Sequence, residues 1–415
     1  MSAIKNIKKI FYFPLANYFR FFAKIQLNIW KPKIVVITGS NGKTTLLHLI
    51  ESKLNNRAKY SHHANSSFGI PFNILGLDRK ELTLIEWPML FLLAPFKAFK
   101  SPPEQKLYIV EADCDRPNEG KFLGSLLKPE VVIWLTVSKT HSMNFKNLEA
   151  IAEEFDYFIQ YASGLAIING DNNLITKQIP RSIAKIEQIH KQNHLKSYSI
   201  FSNSTRFKID DDEYSFKFLL PEENFYSIAA SKLLLQYLNF DSSGAFKNFT
   251  LPPGRSSVFK GIKNTTIIDS SYNATPASMS AALDMYKLYP GKKKWAILSD
   301  MVELGQEEAI EHERLAQLIK EAKLNKVILM GPRVNKYTLP KLLAIAPKLD
   351  IETYQTPLEV LNYLKKNING GEVFFFKGAR FLEGIIEHLL KDKNDINKLC
   401  RREKVWIKRR KRWGL

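Results

Sequence analysis

The sequence predicts an α/β protein built as two successive units, each a mostly parallel sheet covered by helices. Three observations carry that expectation. Short apolar runs alternate with amphipathic stretches from Lys33 to about Leu390, the pattern of strand–helix–strand units. A glycine-rich loop joins the first such strand to the first such helix. The stretch "LPPGRSS" at 251–257, rich in Pro, Gly and Ser, divides the series in two.

In the first unit, "KIVVITG" reads as a buried strand and "KTTLLHLIESKL" as the helix after it. "KLYIVEAD" and "PEVVIWLTV" are further strands, each running into a polar loop. "NLEAIAEEFDYFIQYA" is a helix and "GLAIING" another strand. After the linker, "TTIIDSSYN", "KKWAILSD", "KVILMG" and "EVFFFKGA" are strands. They alternate with the helical stretches "PASMSAALDMYKLY", "HERLAQLIKEA", "LEVLNYLKKNI" and "LEGIIEHLL". Ligands are expected at the C-terminal ends of the parallel strands. The expected divisions are a basic amphipathic segment at 1–32, a central domain at 33–250, a C-terminal domain at 251–392 and a basic tail at 393–415.

At 415 residues, 45% hydrophobic and 25% charged, the chain is ordinary for a globular protein of two or three domains. Cys114 and Cys400 lie far apart and form no metal-ligand spacing, so a reducing, cytoplasmic compartment is expected. The net charge of +20 is uneven. Nine Lys or Arg and one Glu fall between Lys398 and Leu415, which is +8 in that tail. Two readings stand for it: a solvated end, or contact with an anionic surface such as lipid, aided by Trp406 and Trp413. Nucleic acid is not an expected partner, because the charge is a tail rather than a patterned face and no binding module is visible.

The N-terminal segment is basic and aromatic. Ile7, Phe11, Leu15, Tyr18, Phe22, Ile25 and Ile29 follow helical steps, with Pro14 as a point of kinking or restart. Lys9, Arg20 and Lys24 fall off that stripe, and no signal-peptide pattern follows. The stripe either packs on the protein's own surface or lies in a membrane interface, which would put the protein at the inner face of the membrane. "ELTLIEWPMLFLLAPFKAFKSPP" between Glu81 and Pro103 is too short to span a bilayer. It reads as a core helix or an exposed apolar hairpin.

"ITGSNGKTT" reads as a phosphate cradle. Gly39 and Gly42 allow a tight turn with exposed N–H groups, and Ser40, Asn41 and Thr45 complete the loop. Lys43 can reach outer phosphates, the Thr44 hydroxyl can ligate Mg²⁺, and the helix points its positive end at the anion. The loop has two residues between its glycines, where the general P-loop has four. Glu111 at the end of "LYIVE" and His141 after "VVIWLTV" should lie at the same edge and could complete a Mg²⁺ site with Thr44. Asp113 and Asp115 are alternatives.

These segments resemble the Mur ligase family. The loop "ITGSNGKTT" is followed in the family's order by "NSSFGIPFNILGL", "VEADCDRPNEG", "KTHSMNF", "IINGDN", "PEENFYSIAAS", "LPPGRSS" and "FFKGAR". "IIDSSYNATPASMSAALDMY" and "AILSDMVELGQEEAIEHERL" are most similar to the branch that adds D-alanyl-D-alanine to a UDP-muramoyl tripeptide. The resemblance implies a central P-loop ATPase domain, a Rossmann-like C-terminal domain, and an ATP- and Mg²⁺-dependent ligase acting through an acyl phosphate. Its expected substrates are a muramoyl-peptide carboxylate and an amino acid or dipeptide. It also implies roles: Asn224 at the adenine, Arg255 and Asp269 on ATP, and Asn65, Ser66, Tyr272, Asn273 and Lys377 on substrate.

The departures are specific. The family usually carries a carbamylated lysine that ligates a second metal. Glu153 stands at that place when counted back from Asn169, so it is expected to replace the carbamate as catalytic group and ligand. Ser270 follows Asp269 where the branch has a second aspartate. Thr275 and Thr136 stand where asparagines are usual. About 32 residues precede the central domain, too few for the branch's domain that grips the UDP-sugar. The alternative readings are a Mur-like ligase acting on a different acceptor, a lipid-linked one included, or a catalytically degenerate ATP-binding partner protein.

Overall fold

The first sheet is built outward from β1 (Lys33–Thr38), in which every residue after Lys33 is buried. The computed structural model describes residues 11–62, 64–78, 85–138, 144–243 and 246–415. β2 (Lys59–Tyr60), β3 (Leu107–Glu111), β4 (Val131–Trp134), β5 (Leu165–Asn169) and β6 (Lys185–Ile189) join β1 in the order β2-β3-β1-β4-β5-β6, all parallel. β3 and β4 flank β1 on opposite sides, so a crevice opens at its C-terminal end. Val35 and Ile37 pack with Leu46 and Ile50 of α2 (Lys43–Leu54) on one face. Ile34 and Val36 belong to the core of the other face, as an alternating strand between two helical layers requires.

The N-terminal stretch folds as α1 (Tyr12–Trp30), with Pro14 in the first turn, where no helical hydrogen bond is lost. It packs on α3 (Gly69–Leu75) and α4 (Glu86–Ala98). The buried face is not the expected one. Ala16, Phe19, Ala23, Leu27 and Trp30 are inside, while Phe11, Leu15 and Ile29 are exposed. Tyr18, Phe22 and Ile25 are half-buried at the edge; Ile7 and Lys9 lie outside the described residues. The small Ala16 and Ala23 admit close helix packing, and burying Phe19 contributes on the order of 2 kcal/mol. The buried face lies one residue on from the expected stripe, which therefore left out Ala16, Phe19, Ala23 and Trp30. α4 combines both earlier readings: Leu90, Ala94 and Ala98 are buried, while its other side is exposed. Residues 81–84 of that stretch are outside the described chain.

α5 (Glu119–Leu127) and α6 (Leu148–Gln160) complete that layer, and α7 (Asn224–Tyr237) packs beside α2. Between β6 and α7 the chain forms an antiparallel sheet of β7 (Leu195–Ile200), β8 (Thr205–Ile209) and β9 (Asp212–Phe216). Its short strands alternate buried and exposed residues, and no strand was expected there.

The second domain orders β10 (Ser257–Lys260), β11 (Thr266–Asp269), β12 (Lys294–Ser299), β13 (Lys326–Met330), β14 (Asp350–Tyr354) and β15 (Val373–Lys377) as β10-β11-β15-β12-β13-β14. Only the β10–β11 pairing in this sheet is antiparallel. α8 (Pro276–Leu288), α9 (Glu308–Glu321), α10 (Leu339–Ile345), α11 (Pro357–Asn367) and α12 (Leu382–Leu389) cover it. The basic tail is not a free solvated end. Leu399 and Cys400 are buried. Arg401 pairs with Glu383 at 3.1 Å, and Arg402 and Arg410 pair with Glu387 at 2.7 and 3.0 Å. The tail ends in α13 (Lys404–Lys411). Among the described residues no helix is long and apolar enough to cross a membrane.

Candidate active site

The loop after β1 turns on Gly39 and Gly42, with φ of 120° and 88°. A side chain at Gly39 would place its Cβ 2.8 Å from the backbone N and O of Thr136. The loop is tied to the segment after β4: Ser40 N donates to Thr136 O at 2.9 Å and Asn41 N to Thr136 Oγ1 at 2.8 Å. Thr136 thus fills its asparagine-type position with a hydroxyl that holds the loop. Across the domain junction, Thr275 Oγ1 donates to Asn41 Oδ1 at 3.1 Å. The same hydroxyl caps α8, accepting from Ser278 N at 3.2 Å. The two threonine departures therefore both meet Asn41.

Lys43 is buried, donates to Gly39 O at 2.5 Å and pairs with Asp113 at 2.9 Å. Burial pulls its pKa down, but Asp113 and Glu111 outweigh that, and the net shift is upward. Thr44 Oγ1 donates to Glu111 Oε1 at 3.1 Å. From the second domain, Arg255 Nη2 donates to Thr44 Oγ1 at 3.4 Å, and its guanidinium lies 4.8 Å from the Tyr272 ring centroid. Among the described residues, Arg255 Nε is buried without a hydrogen-bond partner.

Two cavities meet here. A cleft of about 210 Å³ is lined by Asn41, Gly42, Thr45, Asn224, Asn273 and Lys377. A larger cavity of about 620 Å³ is lined by Thr44, Glu111, Asn65, His48 and His62, and by Arg401 and Arg402 of the tail. Arg255 and Tyr272 line both. The structure thus brings together Lys43, Thr44, Glu111 and Arg255. Asn65 faces the larger cavity, while Ser66 lines neither and instead accepts from Gly69 N at 3.2 Å through its hydroxyl. Lys377 donates to Asn273 O at 2.9 Å. Burial first, then Arg255, push its pKa down to about 7.

Two expected site residues, Glu153 and Asp269, stand differently. His141 lies outside the described residues. Glu153 is exposed on α6 and lines neither cavity; its charge acts on Asp156 and Arg181 instead. Counting residues fixed a place on the helix but not which way it faces. The next carboxylate, Glu154, is buried and accepts from Asn118 N at 2.9 Å and Gly120 N at 2.8 Å. Asp269 is fully buried beneath the cleft wall, where Ser270 is the lining residue. It accepts from Ser271 N at 2.9 Å, and burial raises its pKa to about 6.

The sequence reading missed His48, His62 and Glu119. His62 Nε2 and His48 Nδ1 lie 2.9 and 3.3 Å from the Glu51 carboxylate. Glu119, fully buried, accepts from Ser67 N and Oγ at 2.9 and 2.7 Å and from Asp115 N at 2.9 Å. That clamp fixes the loops that carry Asn65 and Asp115. A helix-start glutamate was its only trace in the sequence.

The site fits ATP and Mg²⁺. The left-handed glycines open the loop's N–H groups, a buried arginine nitrogen is unpartnered, and a hydroxyl and a carboxylate supply hard oxygen donors. Two family models match the chain: the Mur ligase middle domain over residues 37–233, and the Mur ligase glutamate ligase domain over 254–380. UDP-N-acetylmuramoyl-tripeptide–D-alanyl-D-alanine ligase of Bacillus subtilis is 23% identical over 381 residues, 89% of this chain and 78% of that protein. The Rickettsia prowazekii enzyme of the same name is 27% identical over 368 residues, 84% of this chain and 76% of that protein. The crystal structure of MurF ligase from Thermotoga maritima in complex with ADP superposes with a TM-score of 0.74 at 22% identity, covering 92% of this chain and 84% of that one. With both domains matched in order and the phosphate loop facing the second domain across one junction, the chain belongs to the Mur ligase family of ATP-dependent ligases that form carbon–nitrogen bonds.

Proposed function

We propose that the protein joins D-alanyl-D-alanine to a muramoyl-peptide carboxylate in cell-wall precursor synthesis, on the cytoplasmic side of the membrane. The observation that carries this reading is the junction of Thr44, Glu111 and Arg255, where the nucleotide-side cleft opens toward the larger cavity. ATP would take the cleft, with residues Gly39 to Thr45 around its phosphates and Asn224 beside the base. The acceptor carboxylate would enter from the larger cavity, past Asn65.

The acceptor oxygen attacks the γ-phosphorus, the bond to the bridging oxygen breaks and ADP leaves. The amine then attacks the acyl carbon, phosphate leaves and the amine gives up a proton. Lys43 and Arg255 hold the transferring phosphoryl group from two sides and balance its charge. Mg²⁺, held by Thr44 and Glu111, would supply further charge neutralisation. The names of the relatives support this substrate choice. A lipid-linked acceptor is a second reading, favoured by the tail residues Arg401 and Arg402 in the acceptor-side wall.

The test is phosphate release from ATP with Mg²⁺, adding UDP-muramoyl tripeptide and D-alanyl-D-alanine separately and together. Phosphate and joined pentapeptide appearing only with both would establish the reading. Nucleotide binding without turnover would point to the other acceptor. Absence of nucleotide binding would make the chain a degenerate member.

A further inference from the structure

Helix α4 is apolar on two opposite sides. Leu90, Ala94 and Ala98 are buried toward α1. Ile85, Met89, Leu92, Phe96 and Phe99 follow each other in steps of four, three, four and three, which makes one stripe on the other side. They are 88, 61, 68, 76 and 70% exposed. Single exposed apolar residues are ordinary, but a continuous stripe of five large ones marks a contact surface. The adjacent α1 adds Phe21 and Ile29, 62 and 44% exposed.

We propose that this stripe seats on an anionic lipid bilayer, with α4 lying in the interface. The inference deepens the membrane-side localisation proposed above and rests on it. It moves the contact away from the two basic ends, since α1 turns its buried face inward and the tail is paired onto the second domain. The 13 residues of α4 extend only about 20 Å, too short to cross the hydrocarbon core. Lying flat is the geometry left to an apolar helix face of this length.

Charge selects lipid over a second copy of the chain. Lys97 sits in the last turn of α4, Lys100 is exposed just beyond it, and Lys24 is exposed on α1. A chain carrying +20 would repel its own copy across this face, whereas anionic headgroups attract it. The face is also coupled to the acceptor side. Phe68, three residues from the cavity-lining Asn65, packs on Trp87 of α4 at 5.3 Å and on Phe19 of α1 at 6.2 Å between ring centroids. A bilayer under α4 therefore lies against the element that supports the acceptor cavity.

The test is sedimentation of the full chain with vesicles of phosphatidylcholine alone, or of three parts phosphatidylcholine to one of phosphatidylglycerol. The double variant Leu92→Ser/Phe96→Ser changes two exposed side chains, so circular dichroism and solution ATP turnover should match the parent. The expected result is binding to the anionic vesicles that falls about tenfold or more in the double variant. A tail variant, Arg409→Ser/Lys411→Ser, should retain most of the binding. Equal binding by the α4 variant, with loss in the tail variant, would overturn the placement while leaving a membrane-side ligase intact. No binding by the parent would overturn both the docking and the membrane-side localisation, but not the ligase chemistry, which turnover reads separately. A parent that elutes as a dimer, with the α4 variant a monomer and no lipid bound, would assign the face to a second copy and overturn the proposal.

Discussion

The guanidinium of Arg255 reaches the hydroxyl of Thr44 at 3.4 Å, across the junction between the two domains. One residue lies within the linker and the other in the first turn of the helix after the phosphate loop, 211 positions apart. Their meeting makes the candidate site a property of both domains together. Arg255→Ala is expected to lower kcat about a hundredfold or more, the usual effect of removing a charge donor at a transferring group. Arg255→Lys should restore little, because an ammonium lacks the planar fork. Steady-state ATP turnover with nucleotide affinity measured alongside checks both.

Glu111 accepts the Thr44 hydroxyl, and the proposed reaction has the two hold Mg²⁺ together. Glu111→Ala should raise the Mg²⁺ concentration needed for half-maximal turnover by about tenfold or more. A Mg²⁺ titration at saturating ATP reads this directly.

The neighbouring glutamates of α6 should behave differently. Glu154→Ala leaves the N–H groups of Asn118 and Gly120 without their acceptor and should cost about 2–4 kcal/mol of stability in urea unfolding. Glu153→Ala, at an exposed position, should leave stability, ATP turnover and its Mg²⁺ dependence unchanged. A lost Mg²⁺ response in Glu153→Ala would return that residue to the metal site.

Lys377 has a folded-state pKa of about 7, against about 10.4 in an unfolded chain. Between those values the unfolded chain binds more protons, so stability rises with pH across the window. The penalty of burying the ammonium is full below about pH 7 and gone above about pH 10. Lys377→Met should therefore raise the melting temperature of the nucleotide-free protein most at pH 6. Its advantage should shrink steadily from pH 7 to pH 10 in thermal scans.

Thr275 both caps α8 and bonds Asn41. Thr275→Ala should cost about 1–2 kcal/mol through the cap and the lost cross-domain bond. Thr275→Ser should recover most of it in denaturant titration.

Much of the candidate site's geometry was legible in the sequence. Gly39, Gly42, Lys43, Thr44, Glu111 and Arg255 belong to short contiguous motifs, and strand ends in a parallel sheet converge on one edge for topological reasons. Residues acting from helix surfaces were not legible in the same way. Glu153 and Glu154 differ by one position, about 100° of helix rotation, and only packing on the Cys114–Gly120 loop decides which is buried.

The sequence by itself determined the α/β class and the tight glycine turn after the first strand, because each is encoded in local periodicity or glycine freedom. The tertiary structure decided the rest. It chose the face of α1 that is buried, because Ala16 and Ala23 admit a neighbouring helix where larger side chains would not. It folded the tail back, because buried Leu399 and Cys400 and the pairs to Glu383 and Glu387 hold it there. And it left one side of α4 bare, since a helix between protein and solvent has two sides and the fold covers only one.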